Sequence, residues 1–180
     1  MGIARRIVSL LADAAREVPV ADVRIGLGYT AVRLADGRTG VAGTFRDGAP
    51  GGCSRFHGRH PLAGRPAADL LGLLASDETI ETGVGLACAN ALVNRPSAGQ
   101  VAGDVLEHVE IRPTDDVAMI GHFAPLVGPI QARARSLTVI ERVAEPAGLL
   151  RPEAEGPATL ARCQVALVTA TSIIGHQVDR

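Results

Sequence analysis

Residues 115–143 read DDVAMIGHFAPLVGPIQARARSLTVIERV, and the order of textures along them decides the fold. Residues 117–120 form a short apolar run of the kind that makes a buried strand, and the run stops at Gly121. Residues 126–134 carry helical spacing. Residues 137–140 are a second strand ending on Glu141, and 165–168 are a third. Strand, helix and strand alternating at this interval predict βαβ units and a parallel sheet. A doubly wound sheet has about five or six strands, and only these three fit before Arg180. The expectation is therefore a partial, truncated Rossmann-like domain over 105–180. In it, 105–111 is a strand crossing from the preceding segment, and 171–180 is the start of a helix cut short.

Upstream the texture differs. Ile3, Ile7, Leu10, Leu11 and Ala14 recur at helical spacing until Pro19 closes the pattern. Strand candidates follow at 20–27, 29–34 and 39–45. Gly28 separates the first two, and Asp36-Gly37 is a hairpin signal before the third, so the three read as an antiparallel meander. Residues 46–61 are rich in glycine and read as a long loop. Helical patterns resume over 66–75. A second helix, with Asp77 as its expected cap, carries Ile80, Val84, Leu86, Ala87, Ala91 and Leu92 up to Asn94 and Pro96. Residues 95–104 (RPSAGQVAGD) lack periodicity and read as a linker. The expected class is α/β, with a small α+β domain over 1–104 and the parallel-sheet domain over 105–180.

Composition removes several functions. The chain has 180 residues, 47% hydrophobic and 21% charged, which is ordinary for a globular protein. Its aromatic residues are Tyr29, Phe45, Phe56 and Phe123, too few for stacking platforms on single-stranded nucleic acid. The 18 basic residues are all arginine, dispersed among acids at a net charge of -1, so no basic stripe follows a phosphate backbone. No apolar stretch has the length of a membrane span, and Asp13, Arg16 and Glu17 interrupt the N-terminal run below signal-peptide length. Cys53, Cys88 and Cys163 are odd in number and far apart, a pattern that suits a reducing compartment and predicts a cytoplasmic protein.

Two constellations carry chemistry. Gly121-His122-Phe123-Ala124-Pro125-Leu126 lies where a Rossmann domain places its phosphate-binding turn, and Glu141 lies at the next strand's end, where an acid accepts ribose hydroxyls. GHFAPL is not GxGxxG, so NAD fits poorly, and S-adenosylmethionine is an equal candidate for a nucleotide-type cofactor. The second constellation is Cys53-x3-His57-x2-His60, whose thiolate and imidazoles suit nickel, zinc or copper. Arg55 and Arg59 oppose a cation there. His122 and His176 follow strands on the rim where α/β folds bind ligands, and Thr169 and Thr171 add hydroxyls. No Ser-His-Asp, GxSxG, HExxH or Walker pattern appears, so the sequence specifies no reaction.

GLGYTAVRLADGRTGVAGTF, PLAGRPAADLLGLLASDETIETGVGLACANALVNR, DDVAMIGHFAPLVGPIQARARSLTVIERVAEPAGL and CQVALVTATSII, in that order, resemble the heavy-metal chelation family. The likeness is strongest at GLACANALVN and at GHFAPLV with the following Glu141-Arg142-x3-Pro146. It implies a domain like the N-terminal domain of enolase followed by a Rossmann-like domain, with a metal or metal-bearing small molecule held in the cleft between them. By position, the implied ligand contacts are Gly121, His122, Phe123, Glu141, Thr169, Thr171 and Asn90. The candidate metal ligands, read from the residues themselves beside the resemblance, are Cys53, His57, His60, His122 and His176. Two departures stand out. Gly175-His176-Gln177 replaces an Asn and Gly before a Thr, and family members continue past the equivalent of Arg180. A bare sheet edge there predicts pairing of two copies.

Overall fold

The computed structural model describes residues 1–45 and 61–175, which fall into two compact units. The first is Met1–Ala98 together with Ile173–Asp179, and the second is built on Gly99–Ser172.

In the first unit, α1 (Ile3–Arg16) leads into β1 (Val20–Ile25), β2 (Tyr29–Leu34) and β3 (Thr39–Gly43). These pair antiparallel in sequence order, as the hairpin signals predict. Asp36-Gly37 makes the second turn: Gly37 adopts φ 89°, and the Asp36 carboxylate accepts the Arg38 amide at 3.1 Å. Thr30, Val32 and Leu34 point inward and are buried, while Tyr29 and Arg33 alternate outward. α2 (Ala67–Gly72) continues as a 3-10 turn to Ala75, and α3 (Thr79–Val93) follows.

α3 is buried on every side from Thr82 to Ala89. Small residues make this possible, because neighbouring backbone reaches the helix backbone. A Cβ on Gly40 of β3 would stand 2.1 Å from the Ala91 nitrogen, and one on Gly85 would stand 2.2 Å from that of Leu74. The GLACANALVN motif is thus a close-packing surface. Arg38 donates to the Leu92 carbonyl at 2.6 Å, and Asn94 donates to that of Thr39 at 2.7 Å. Asp77 does not cap α3. Glu78 holds the cap position, and the Thr82 hydroxyl donates to the Ser76 and Glu78 carbonyls at 2.9 and 3.0 Å.

The second unit contains α4 (Val105–His108), β4 (Asp116–Ile120), α5 (Ala124–Gln131), β5 (Ser136–Glu141), β6 (Leu150–Pro152), α6 (Gly156–Leu160) and β7 (Val165–Val168). α7 (Thr171–Ile174) begins in it, and its Ile174 is buried in the first unit's core. The sheet order is β6-β5-β4-β7, parallel throughout.

Two expectations are corrected here. The segment from Val105 is a helix, not a crossing strand, because the Asp104 carboxylate caps it by accepting the Leu106 amide at 2.8 Å. The sheet also has four strands, not three. β6 is only three residues long and ends in proline, so it leaves almost no periodic signal. One sheet face (Val117, Met119, Leu137, Val139) packs on Leu106, Leu126 and Ile130. The opposite face is partly polar, with Asp116, Ser136 and Thr138 alternating out of β4 and β5.

Candidate functional site

The chain runs from β4 to β5 to β6 on one side, then crosses to place β7 on the other side of β4. Strand order reverses at β4, and ligands of open α/β sheets bind outside the carboxyl ends of the strands at such a reversal. The residues just past β4 and β7 are Gly121 and Thr169, and they touch. Gly121 has φ 83°, and a Cβ there would stand 2.8 Å from the Thr169 hydroxyl oxygen and 3.1 Å from its methyl. Glycine is needed at this position both for its backbone conformation and for the approach of Thr169. The Gly121 amide donates to the Ile140 carbonyl at 2.9 Å, and the Thr169 amide to that of Ile120 at 3.1 Å. The ladder therefore holds the two loops together at the rim.

Glu141, at the tip of β5, meets the same turn. One carboxylate oxygen accepts the His122 amide at 2.9 Å, and the other accepts the Arg142 amide at 2.8 Å. His122 and Glu141 are thus neighbours, as the sequence predicts, but the role expected of Glu141 changes. Both of its oxygens already tie down backbone, where the sequence reading gave them to ribose hydroxyls. Apart from the Ala124 amide, the turn's remaining donors are also committed. The Phe123 amide points to the Met119 sulfur at 3.4 Å, Pro125 has no N–H, and the Leu126 amide bonds the Phe123 carbonyl at 3.0 Å. A pyrophosphate cradle needs free backbone N–H groups at the helix start, and this turn does not fit one.

What the rim does present is side-chain chemistry. His122 is exposed, and its imidazole makes no hydrogen bond among the described residues. Phe123 is 52% exposed beside it. The hydroxyls of Thr169 and Thr171 lie 2.5 Å apart, and the Ser172 hydroxyl donates to the Thr169 carbonyl. Arg142 leaves the rim to pair with Glu153 at 3.1 Å.

The other expected site residues are placed as follows. Asn90 belongs to the first unit, where its amide donates to the Val41 carbonyl at 2.8 Å and stitches α3 to β3. Cys53, His57, His60 and His176 lie outside the described residues. Among the described residues no three His, Cys, Asp or Glu side chains converge to hold a metal ion. Cys88 is buried, its thiol pushed up to about 12 by desolvation, and is no thiolate ligand at neutral pH.

A second polar centre, which the sequence reading missed, lies at the opposite end of the sheet. There Arg135 pairs with Asp116, and the Ser136 hydroxyl donates to the same carboxylate at 2.6 Å. The Arg135 guanidinium, then Ser136, hold this carboxyl at about 2, well below its usual range. The signal was the adjacency Asp115-Asp116 with Arg135-Ser136 at the starts of paired strands.

The fold defines a two-unit α/β protein with an antiparallel three-stranded sheet in one unit and a parallel four-stranded sheet in the other. Two family models that share the description "Putative heavy-metal chelation" match it, one over residues 8–93 and the other over 104–180. The chain belongs to this family. Two solved structures share the fold, both described as proteins with unknown function from the DUF364 family. The one from Desulfitobacterium hafniense has a TM-score of 0.77 at 19% identity, over 96% of this chain and 69% of that one. The one from Pyrococcus horikoshii has a TM-score of 0.81 at 20% identity, over 98% of this chain and 71% of that one. Among curated proteins none matches. No helix of the described residues is long and apolar enough to cross a membrane.

Proposed function

We propose that this protein binds a transition metal carried by a small-molecule chelate, and that the ligand sits on the Rossmann-like rim formed by Gly121, His122, Phe123, Glu141, Thr169 and Thr171. The carrying observation is the closure of Gly121 onto Thr169 at the strand-order reversal, with an unbonded imidazole and a hydroxyl pair beside it. The family's description supplies the metal.

A chelate suits these residues better than a bare ion. A metal held by protein alone needs about three or four side-chain ligands, whereas a chelated metal has most of its positions filled and takes one imidazole. Nickel, zinc and copper all accept imidazole, so His122 would be that ligand. The Thr hydroxyls would bond the chelator's carboxylates, and Phe123 would cover its apolar part.

The test is thermal unfolding and calorimetric titration with the nickel and zinc complexes of citrate, beside each free ion and free citrate. A ligand selective for the native state stabilises it by about 2.7 kcal/mol at a hundred times its Kd. The complexes should raise the melting temperature, and His122→Ala should remove the effect while a His57→Ala/His60→Ala double variant keeps it. If a free ion stabilises the protein and the double variant abolishes that, the metal belongs to residues 53–60 and the rim reading fails. No response to any probe also defeats it.

A further inference from the structure

The crossover from β6 to β7 and the partly polar face of the sheet border an open cavity of about 350 Å³ that reaches from Arg151 to the amino ends of β4 and β5. Ser136, Thr138 and Arg151 line it from the sheet, and Glu155, Thr159 and Arg162 line it from the crossover. This volume lies at the lower end of the range of about 300–1,000 Å³ typical of small-molecule sites.

We infer that this cavity is a second binding site, for the phosphate group of a small phosphorylated molecule. The argument starts from charge. Asp116, which also borders the cavity, is already neutralised by Arg135 and bonded by Ser136. Arg162 is near enough to Asp116 to help lower its carboxyl, after Arg135 and Ser136, but neither Arg151 nor Arg162 forms an ion pair with any described residue. Arg151 is held in place through one nitrogen, which donates to the Gly148 and Leu150 carbonyls at 2.8 Å each. The rest of that guanidinium stays available for an oxyanion, and carbonyl anchoring of this kind fixes an arginine without cancelling its charge.

Thr138 and Thr159 supply hydroxyl donors. Thr138 lies between Leu137 and Val139 in β5, where its register partner is Ala118. Thr138 is partly exposed, so its hydroxyl is open to the cavity. Cations are disfavoured by the same two arginines. One group opposes an anion: Glu155 is exposed and has no partner among the described residues. It gives the site a charge that can be removed without touching the donors.

The probe is inorganic phosphate, with sulfate and chloride at equal ionic strength as comparisons, titrated calorimetrically into the whole protein. Phosphate should bind, Arg162→Ala should weaken it about tenfold or more, as expected for loss of a charge-assisted bond, and Glu155→Gln should tighten it. Arg151→Lys keeps a charge but loses the planar fork, and should weaken binding as well. Arg162 is exposed, so its variant folds and the comparison stands. The inference is overturned if phosphate gives no heat, or if Glu155→Gln and Arg162→Ala leave its affinity unchanged. It is also overturned if binding disappears on His122→Ala, which would put the anion at the rim. Loss of chelate binding at the rim, with phosphate binding intact, defeats only the function proposed above.

Discussion

Gly121→Ala tests the rim most directly. The residue adopts φ 83°, a left-handed conformation that costs any side chain with a Cβ about 1–2 kcal/mol. The new methyl would also stand 2.8 Å from the Thr169 hydroxyl oxygen and 3.1 Å from its Cγ2. Backbone does not crowd the position, so Thr169 can turn away, but turning breaks its 2.5 Å bond to the Thr171 hydroxyl. That bond contributes about 1 kcal/mol. Together the two costs reach about 2–3 kcal/mol. For a unit of this size such a loss lowers the melting temperature by about 8 °C or more.

Amide hydrogen exchange in β4, β5 and β7 reads the second unit by itself, and the stability of Thr169→Ala and of the double variant completes a cycle. The threonine contact predicts coupling: Thr169→Ala should cost about 1 kcal/mol in the native background and little once Gly121 is alanine. A Gly121→Ala loss below about 0.5 kcal/mol, or strict additivity with Thr169→Ala, would refute the close approach on which the rim rests.

Two further outcomes follow from the same geometry. Glu141→Gln replaces one of the two acceptors of the His122 and Arg142 amides with an NH₂ donor. It should cost about 1–3 kcal/mol, with faster exchange of those two amides in the variant as the check. Asp116 has its folded-state carboxyl depressed to about 2 from the ordinary 3.8 by Arg135 and Ser136. A depressed value gives stability that is present above pH 3.8 and lost as pH falls through about 2. Asp116→Asn should therefore flatten the acid-unfolding profile between about pH 4 and 2, followed by circular dichroism. An unchanged profile would place the ion pair outside the native ensemble.

The sequence revealed the elements whose signal is local. The apolar runs of β4, β5 and β7 and the Asp36-Gly37 turn needed no tertiary information to be read. Leu150-Arg151-Pro152 was not legible as β6, because three residues cannot show an alternation and proline argues against a strand. Val105–His108 misled because four residues are too few to show helical spacing and Val109-Glu110-Ile111 after them alternates. The Asp104 side chain on the Leu106 amide decided for helix. Glu141 was placed correctly at a strand tip facing the turn, but its partners were not legible. Whether a carboxylate meets a ligand or the backbone beside it depends on a side-chain rotation that no spacing encodes. The cavity under the crossover was invisible for a different reason. Its residues come from three strands and a connection, and only the parallel register brings Ser136, Thr138 and Arg151 to one face.

The two ends of the second unit's sheet therefore pose opposite problems to an anion. At the carboxyl end a helix start normally offers free N–H groups. Here Glu141 has taken the place of the anion, since a carboxylate bonded to the His122 amide fills the direction from which a phosphate would approach. The cavity under the crossover has no helix dipole to offer, yet it gathers Arg151 and Arg162, neither of which forms an ion pair with a described residue. An internal acid at the rim leaves that site to an imidazole and hydroxyl groups, which suits a metal complex whose charge is already balanced. Unpaired guanidinium groups at the other end suit a charge that is not balanced. Substituting Glu141 should accordingly shift which ligands the rim accepts, towards anions, while leaving the arginine cavity as it is.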